Sequence, residues 1–378
     1  MFFDYKLRNY NFRLFLYVLL LSGLGVLILR SASNQDMSVV GKQVMGIACG
    51  SAIAIVLSLI DYHRVMRAAP MIYGVCIAAL AAVLVFGISR GIARRWITLP
   101  VIGQVQPSEF AKIGLIIFFS WFFDRYQEKL NRLTTILLSG GLYFVVFFLI
   151  FRQPNLSTAL ITGVIFFGMF FVAGLSYRWI LGTLAVIVPC GALFLYLVQY
   201  DMVPFLKNYQ RERIAAFLST DSSAFAEANL QQNNSIMAIG SGMLRGKGLN
   251  TKTLSSVKNG NFLSEEETDF IFAVAGEEMG FIGCVVVIVL IALIVFELLI
   301  MAARSKDMAG RLLCSGLATL IAFQSFSNIA VATGIFPNTG LPLPFISSGV
   351  SSLLSLYLGT GLSMNVGLQR RNGNYERT

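Results

Sequence analysis

Gly280–Ala302, GFIGCVVVIVLIALIVFELLIMA, decides the fold: it is an apolar run broken by one ionisable side chain, Glu297. Coiled as an α-helix, a run of this length spans about 30 Å of hydrocarbon and satisfies its own backbone polar groups. Working outward, nine similar runs appear near 12–30, 42–60, 71–89, 109–124, 135–151, 156–175, 180–200, 311–333 and 350–368. Several are shorter than an ideal span. The first is followed by Ser31-Ala32-Ser33, as a cleavable leader would be, but its apolar stretch is too long and ends in Arg30. The pattern predicts an all-α integral membrane protein with ten transmembrane helices. Residues 1–378 form one polytopic domain, with a large outer loop at about 201–268 between the seventh and eighth spans.

Composition agrees. With 56% hydrophobic residues, 31 Phe and only 13% charged residues, a soluble domain would lack polar surface to cover itself. The net charge of +10 is scattered over many loops and forms no continuous stripe, which argues against a nucleic-acid partner. Membrane topology accounts for it better. With the N-terminus in the cytoplasm, fifteen Lys and Arg fall in cytoplasmic segments and six in the short outer loops, so both termini are expected in the cytoplasm. Cys49, Cys76, Cys190, Cys284 and Cys314 all sit in apolar runs without CxxC spacing and read as small apolar residues. A single histidine, His63, cannot assemble a His-based zinc or haem site, so any metal must take oxygen ligands.

Polar chemistry concentrates in three places. The long loop carries Asn208–Leu218, NYQRERIAAFL, whose Tyr209, Ile214, Phe217 and Leu218 oppose Arg211, Glu212 and Arg213. That spacing fits an amphipathic helix at the interface or a loop helix packed on the bundle. The loop also carries Gly240–Gly248, GSGMLRGKG, which fails the Walker pattern; Arg245 and Lys247 on this backbone either approach a pyrophosphate or belong to a plain mobile loop. Glu109 and Lys112, three apart on a helix opened by Pro107-Ser108, share a face within the membrane; Ser108 is positioned to cap. The pair is either functional or a structural lock. Glu297, near the inner end of its run, can snorkel and is assigned no role.

The third place is Ser264–Gly280, SEEETDFIFAVAGEEMG, where carboxylates gather at the mouth of a span. Glu265, Glu266 and Glu267 read as a solvated run. Asp269 differs, because Phe270, Ile271 and Phe272 follow at once and set its carboxylate at the edge of the apolar phase.

Seven segments together resemble the RodA/FtsW/SpoVE (SEDS) family. They are Arg95-Trp96, Gln106–Lys112, Gln153–Ala159, Tyr209–Ile214, Thr268–Phe272, Gly276–Gly280 and Gly340–Phe345, in order over residues 94–350, and the short N-terminus is more RodA-like than FtsW-like. The resemblance implies a ten-helix fold, polymerisation of lipid II into peptidoglycan, and a class B penicillin-binding protein as partner among the elongation or division machinery. It also implies that Asp269 is the essential outer carboxylate and Glu109 with Lys112 the polar pair of the fourth helix. Asn155, Ser348 and Val350 depart from the family pattern, which puts the packing of the outer loop before the last span in question.

The residues suit that reaction. A pyrophosphate leaves as an anion, so it needs cationic stabilisation, while one carboxylate serves as base for the attacking hydroxyl. Asp269 is the expected catalytic group or the ligand of a divalent cation such as Mg2+. Arg94, Arg95, Arg211, Arg213, Arg245 and Lys247 are the expected cations, with Glu109 and Lys112 lining the substrate site. A flippase for the same lipid-linked precursor is the alternative. Against it stand the size of the outer loop and the lack of an evident inverted repeat.

Overall fold

A computed structural model describes residues 10–33, 35–90, 93–99, 103–199, 226–250 and 265–369. The helices follow the apolar runs closely. In chain order they are α1 (Phe12–Ala32), α2 (Met37–Leu59), the short α3 (Tyr62–Arg67), α4 (Ala69–Phe86), α5 (Pro107–Arg125), α6 (Leu133–Arg152), α7 (Leu156–Val172) and α8 (Tyr177–Gln199). Then come α9 (Ala226–Ser241), α10 (Ile271–Ala303), α11 (Met308–Ala332) and α12 (Val350–Leu368). Six of the described helices, α1, α2, α4, α6, α10 and α11, are long and apolar enough to cross a membrane.

Helix starts are set by local chemistry. Asn11, Asp36, Asn155 and Asp307 accept hydrogen bonds from the first-turn amides of α1, α2, α7 and α11. Pro107 opens α5 at its first turn, where a missing N–H costs nothing. Ser108 does not cap α5. Gln106 holds the cap position, and Ser108 Oγ instead accepts from the Gln106 side chain at 3.1 Å.

Packing centres on α5, α10, α11 and α12. Helix α12 runs along α2, α10 along α11 and α1, and α5 is enclosed by α4, α7, α11 and α12. A Cβ at Gly361 of α12 would stand 2.6 Å from Ala54 O of α2, so close backbone approach sets that contact. On α5, Phe119 and Phe123 meet Phe166 and Phe170 of α7 edge-on or tilted, at centroid distances of 4.4–6.2 Å.

Several expectations are corrected. The segment after α4 is not a plain loop: β1 (Ile88–Arg90), β2 (Ala93–Leu99) and β3 (Gly103–Val105) form an antiparallel sheet in the order β1-β2-β3. Trp96 pairs with Ile88 and Ile97 with Val105, as β-branched and aromatic residues favour. Glu297 does not snorkel. It is buried, accepts from Asn11 Nδ2 at 3.0 Å and lies 4.0 Å from the Arg13 guanidinium. His63 links two loops, with Nδ1 2.8 Å from Asp61 and Nε2 2.9 Å from Asp307. Burial acts to raise the pKa of Asp61, but hydrogen bonds from Gln369 and His63 outweigh it and hold the carboxyl below its ordinary value.

The run read as beginning at Gly280 is the second half of a longer helix. Helix α10 starts at Ile271 and breaks at Gly280, whose backbone sits at φ 65° and ψ −164°. Only glycine adopts that region readily. Residues 243–248 are stitched across the break: Lys247 N and Gly248 N donate to Glu277 O and Glu278 O at 2.9 and 3.0 Å, while Phe281 N and Ile282 N donate to Met243 O and Leu244 O at 2.8 and 3.2 Å. The kink frees backbone groups in α10, and the Gly-rich segment supplies their partners.

Gly280→Ala is therefore expected to destabilise the protein by about 1–3 kcal/mol from backbone strain, and by more because its Cβ would meet Gly246 N at 2.3 Å. Gly23→Ala, whose Cβ meets nothing within 4 Å, is the matched control. Thermal unfolding in detergent compares them.

Candidate functional site

Glu109 and Lys112 stand in the first two turns of α5 with their side chains turned into the bundle. Lys112 is 1% exposed and Glu109 4%, so each charge depends on protein partners. Lys112 Nζ lies 3.0 Å from Glu109 Oε2 and donates to Gln324 Oε1 of α11 at 2.8 Å. Gln324 Nε2 in turn donates to Pro342 O at 2.8 Å.

Asp269 occupies the turn that leads into α10 and is half-buried. The next residues explain its position: Phe270, Ile271 and Phe272 are all buried and anchor the turn in the core. Backbone carbonyls on this turn are held one after another. Ser348 N donates to Glu267 O at 2.9 Å, Ser347 Oγ to Thr268 O at 2.6 Å, and Asn328 Nδ2 of α11 to Asp269 O at 2.9 Å. Ser348 acts here through its backbone, so its departure from the family pattern leaves the contact intact. Asn155, another departure, caps α7 through Oδ1, which an amide does as well as a carboxylate. The rim of this turn is acid-rich: burial foremost, and then Asp36 and Glu265, raise the pKa of Glu267.

The expected cations divide. Lys247 is bound to Glu277, with Nζ 2.6 Å from an Oε1 that is almost wholly buried. Arg95 donates through Nη2 to Pro154 O, tying β2 to the junction between α6 and α7. Arg245 is exposed on the segment that spans the α10 break. Arg211 and Arg213, with the amphipathic helix expected at 208–218, lie outside the described residues, as does the side chain of Arg94. The Gly-rich segment is not a plain mobile loop. A Cβ at Gly242 or Gly246 would approach the carbonyl oxygen of Gly276 or Glu278 to 1.9 or 2.1 Å, so glycine there permits backbone to lie on backbone.

Three features escaped the sequence reading. Glu277 and Glu278, read as part of a helix mouth, are buried within α10; Ser31 Oγ of α1 donates to Glu278 Oε1. Helix α9 was not anticipated, and it clasps the end of α11 through Gln232, which donates to Val331 O and Phe336 O at 2.9 and 2.6 Å. Gln324 and Asn328, both buried, fall inside a run whose composition reads as a plain apolar span. Two amides four residues apart in a membrane helix were the available signal.

Lys112→Met is expected to lower stability by about 3–5 kcal/mol, since it leaves Glu109 buried without its cation. Glu109→Gln with Lys112→Met should recover much of that loss, read from the unfolding midpoint in detergent.

The profile of a family described as cell cycle proteins, FtsW/RodA/SpoVE, matches residues 12–372. The chain is 34% identical over 350 residues to the peptidoglycan glycosyltransferase MrdB of Escherichia coli K12, covering 91% of this chain and 90% of that protein. It is 33% identical over 378 residues to a probable peptidoglycan glycosyltransferase FtsW of Trichlorobacter lovleyi, covering 96% and 94%. Among solved structures, it is similar to a chain from a peptidoglycan synthase complex that coordinates polymerization and crosslinking, at 30% identity and a TM-score of 0.75, covering 96% of this chain and 98% of that one. The rod shape determining protein RodA of Thermus thermophilus follows at 28% identity and a TM-score of 0.68, with the same coverage. By profile, by sequence and by fold, this chain belongs to the FtsW/RodA/SpoVE family.

Proposed function

We propose that the protein is a peptidoglycan glycosyltransferase that polymerises lipid II into glycan strands during cell elongation and shape maintenance, with Asp269 as its catalytic carboxylate. Relatives named for this activity match along about nine-tenths of their length. The observation that carries the residue assignment is the half-buried Asp269 turn, whose consecutive carbonyls are held by α11 and the segment before α12. A carboxylate on so fixed a backbone can be aimed at a reacting hydroxyl.

In this reading the acceptor sugar hydroxyl gives its proton to Asp269 while its oxygen bonds to the anomeric carbon of the donor. The anomeric carbon–oxygen bond breaks, and its electron pair leaves with the polyprenyl pyrophosphate. Arg245, with Arg211 and Arg213, stabilises the departing charge. Lys247, partly exposed and with ammonium donors beyond the one given to Glu277, adds to that stabilisation. Glu109 and Lys112 act from within the bundle, and Arg95 through the junction it braces.

Among the described residues no three carboxylate, His or Cys side chains gather as a metal cage. A divalent cation such as Mg2+ would then take Asp269 and substrate oxygens as ligands, and would supply charge neutralisation to the leaving group.

The topology that goes with this reading has ten spans, both termini in the cytoplasm and the 201–268 loop outside. Helices α5, α7, α8 and α12 join the six apolar spans: α5 carries the buried pair, α7 has 17 residues, and α12 is enclosed by protein on most sides. A class B penicillin-binding protein is the proposed partner, in keeping with the synthase complex to which one similar structure belongs.

Reconstituted protein given labelled lipid-linked disaccharide should yield glycan strands. Lipid translocated without strands would favour the flippase. Asp269→Asn, similar in shape but uncharged, should abolish strands while the protein still inserts and unfolds at its normal midpoint; wild-type turnover would end the assignment. Arg213→Ala and Arg245→Ala should each slow turnover about 10²–10³-fold, and unchanged rates in both would leave them ordinary loop charges.

A further inference from the structure

Gln324 and Asn328 lie four residues apart on α11, hence on one face, and at 0% and 1% exposure both amides depend on protein partners. Their partners form a continuous series. Gln324 Oε1 accepts from Lys112 Nζ at 2.8 Å, and Gln324 Nε2 donates to Pro342 O at 2.8 Å. Asn328 Nδ2 donates to Leu341 O at 2.7 Å and to Asp269 O at 2.9 Å. One end of the series is the buried ion pair and the other is the backbone of the proposed catalytic aspartate. The Leu341-Pro342 segment bridges the two amides.

We propose that Gln324 and Asn328 are positioning residues of the transferase: a two-amide ladder on α11 through which the charged Glu109–Lys112 pair fixes the placement of Asp269. The inference rests on the reading of Asp269 as the catalytic group.

The chemistry gives the ladder its direction. A primary amide has one acceptor end and one donor end. An ammonium has donors only, so Lys112 attracts the Oε1 end of Gln324 and turns its Nε2 toward Pro342 O. That donor holds the 341–342 carbonyls where Asn328 spans Leu341 O and Asp269 O. Ser347 repeats the arrangement beside it, accepting from Leu343 N at 2.7 Å while donating to Thr268 O. Uncharged or apolar side chains could hold α5 against α11 as well as this pair does. Only a cation at 112 also dictates the orientation of Gln324. The buried pair thus need not touch substrate to matter for turnover.

Asn328→Asp tests the far end, because it keeps the shape and sets an anion against two carbonyl oxygens. In the reconstituted strand assay the ladder expects kcat to fall about 10²-fold, the effect of misplacing a reacting group by about 1 Å, with KM for the lipid-linked donor nearly unchanged. Asn328→Ser, which keeps one donor, should recover part of the rate, and it stands in if the aspartate variant does not fold. The near end is tested by exchanging two side chains, Glu109→Gln with Gln324→Glu. The exchange leaves Lys112 with one carboxylate and one amide, so the charge balance is preserved, but position 324 no longer donates to Pro342 O. The ladder expects this double variant to insert and fold, with a lowered unfolding midpoint because Pro342 O loses its donor, and to turn over slowly per folded molecule; recovery of wild-type kcat would show that only the ion pair matters and would overturn the proposal. Wild-type kcat in Asn328→Asp, or equal loss of kcat and gain in KM there, would overturn it too. Asp269→Asn run alongside separates the claims: if it is inactive while Asn328→Asp is fully active, the ladder falls and the catalytic reading stands. If it is active, the catalytic reading falls first.

Discussion

The Lys112 ammonium, 3.0 Å from Glu109 and 2.8 Å from Gln324 inside the helix bundle, is the interaction on which the arrangement around Asp269 depends. A charge so placed has no water to fall back on. It must be met by protein, and the groups that meet it come from α5 and α11, which fixes those helices against each other. Gln324 then passes the constraint to the segment before α12. That segment and α11 together hold the turn bearing Asp269.

A second constraint comes from the broken helix α10. Bending a membrane helix frees backbone donors and acceptors that hydrocarbon cannot satisfy. Here the partners come from the Gly-rich segment 242–248, whose glycines let two backbones touch. Lys247 adds an ion pair to the buried Glu277. A stretch that resembled a phosphate loop in composition is thus bound to the helix that follows Asp269, and of its two cations Arg245 is the exposed one.

Much of this was legible in the chain itself. Apolar length marked the helices, because hydrocarbon thickness sets a minimum run. Proline at 107 marked the start of α5, because a first-turn amide can be absent there, although the cap expected at Ser108 falls to Gln106. The spacing of Glu109 and Lys112 placed them on one face, because three residues make nearly one turn. Asp269 stood out because an acid directly before Phe-Ile-Phe has nowhere to sit but the edge of the apolar phase. These are local consequences of the sequence, each depending on residues a few positions apart.

What only the tertiary structure decided is which distant groups satisfy one another. The sequence alone does not say that Lys112 will meet Gln324, 212 positions away, or that Asn328 will hold the carbonyl of Asp269. Nor does it say that Glu297 will be answered by Asn11 rather than by water at the interface. Glu277 looked like a rim carboxylate until the helix was seen to begin at Ile271, and Lys247 looked like a plain loop cation until Glu277 was seen beside it. Side-chain chemistry determines that a buried polar group must have a partner; the packing of helices far apart in the chain determines which partner comes within 3 Å.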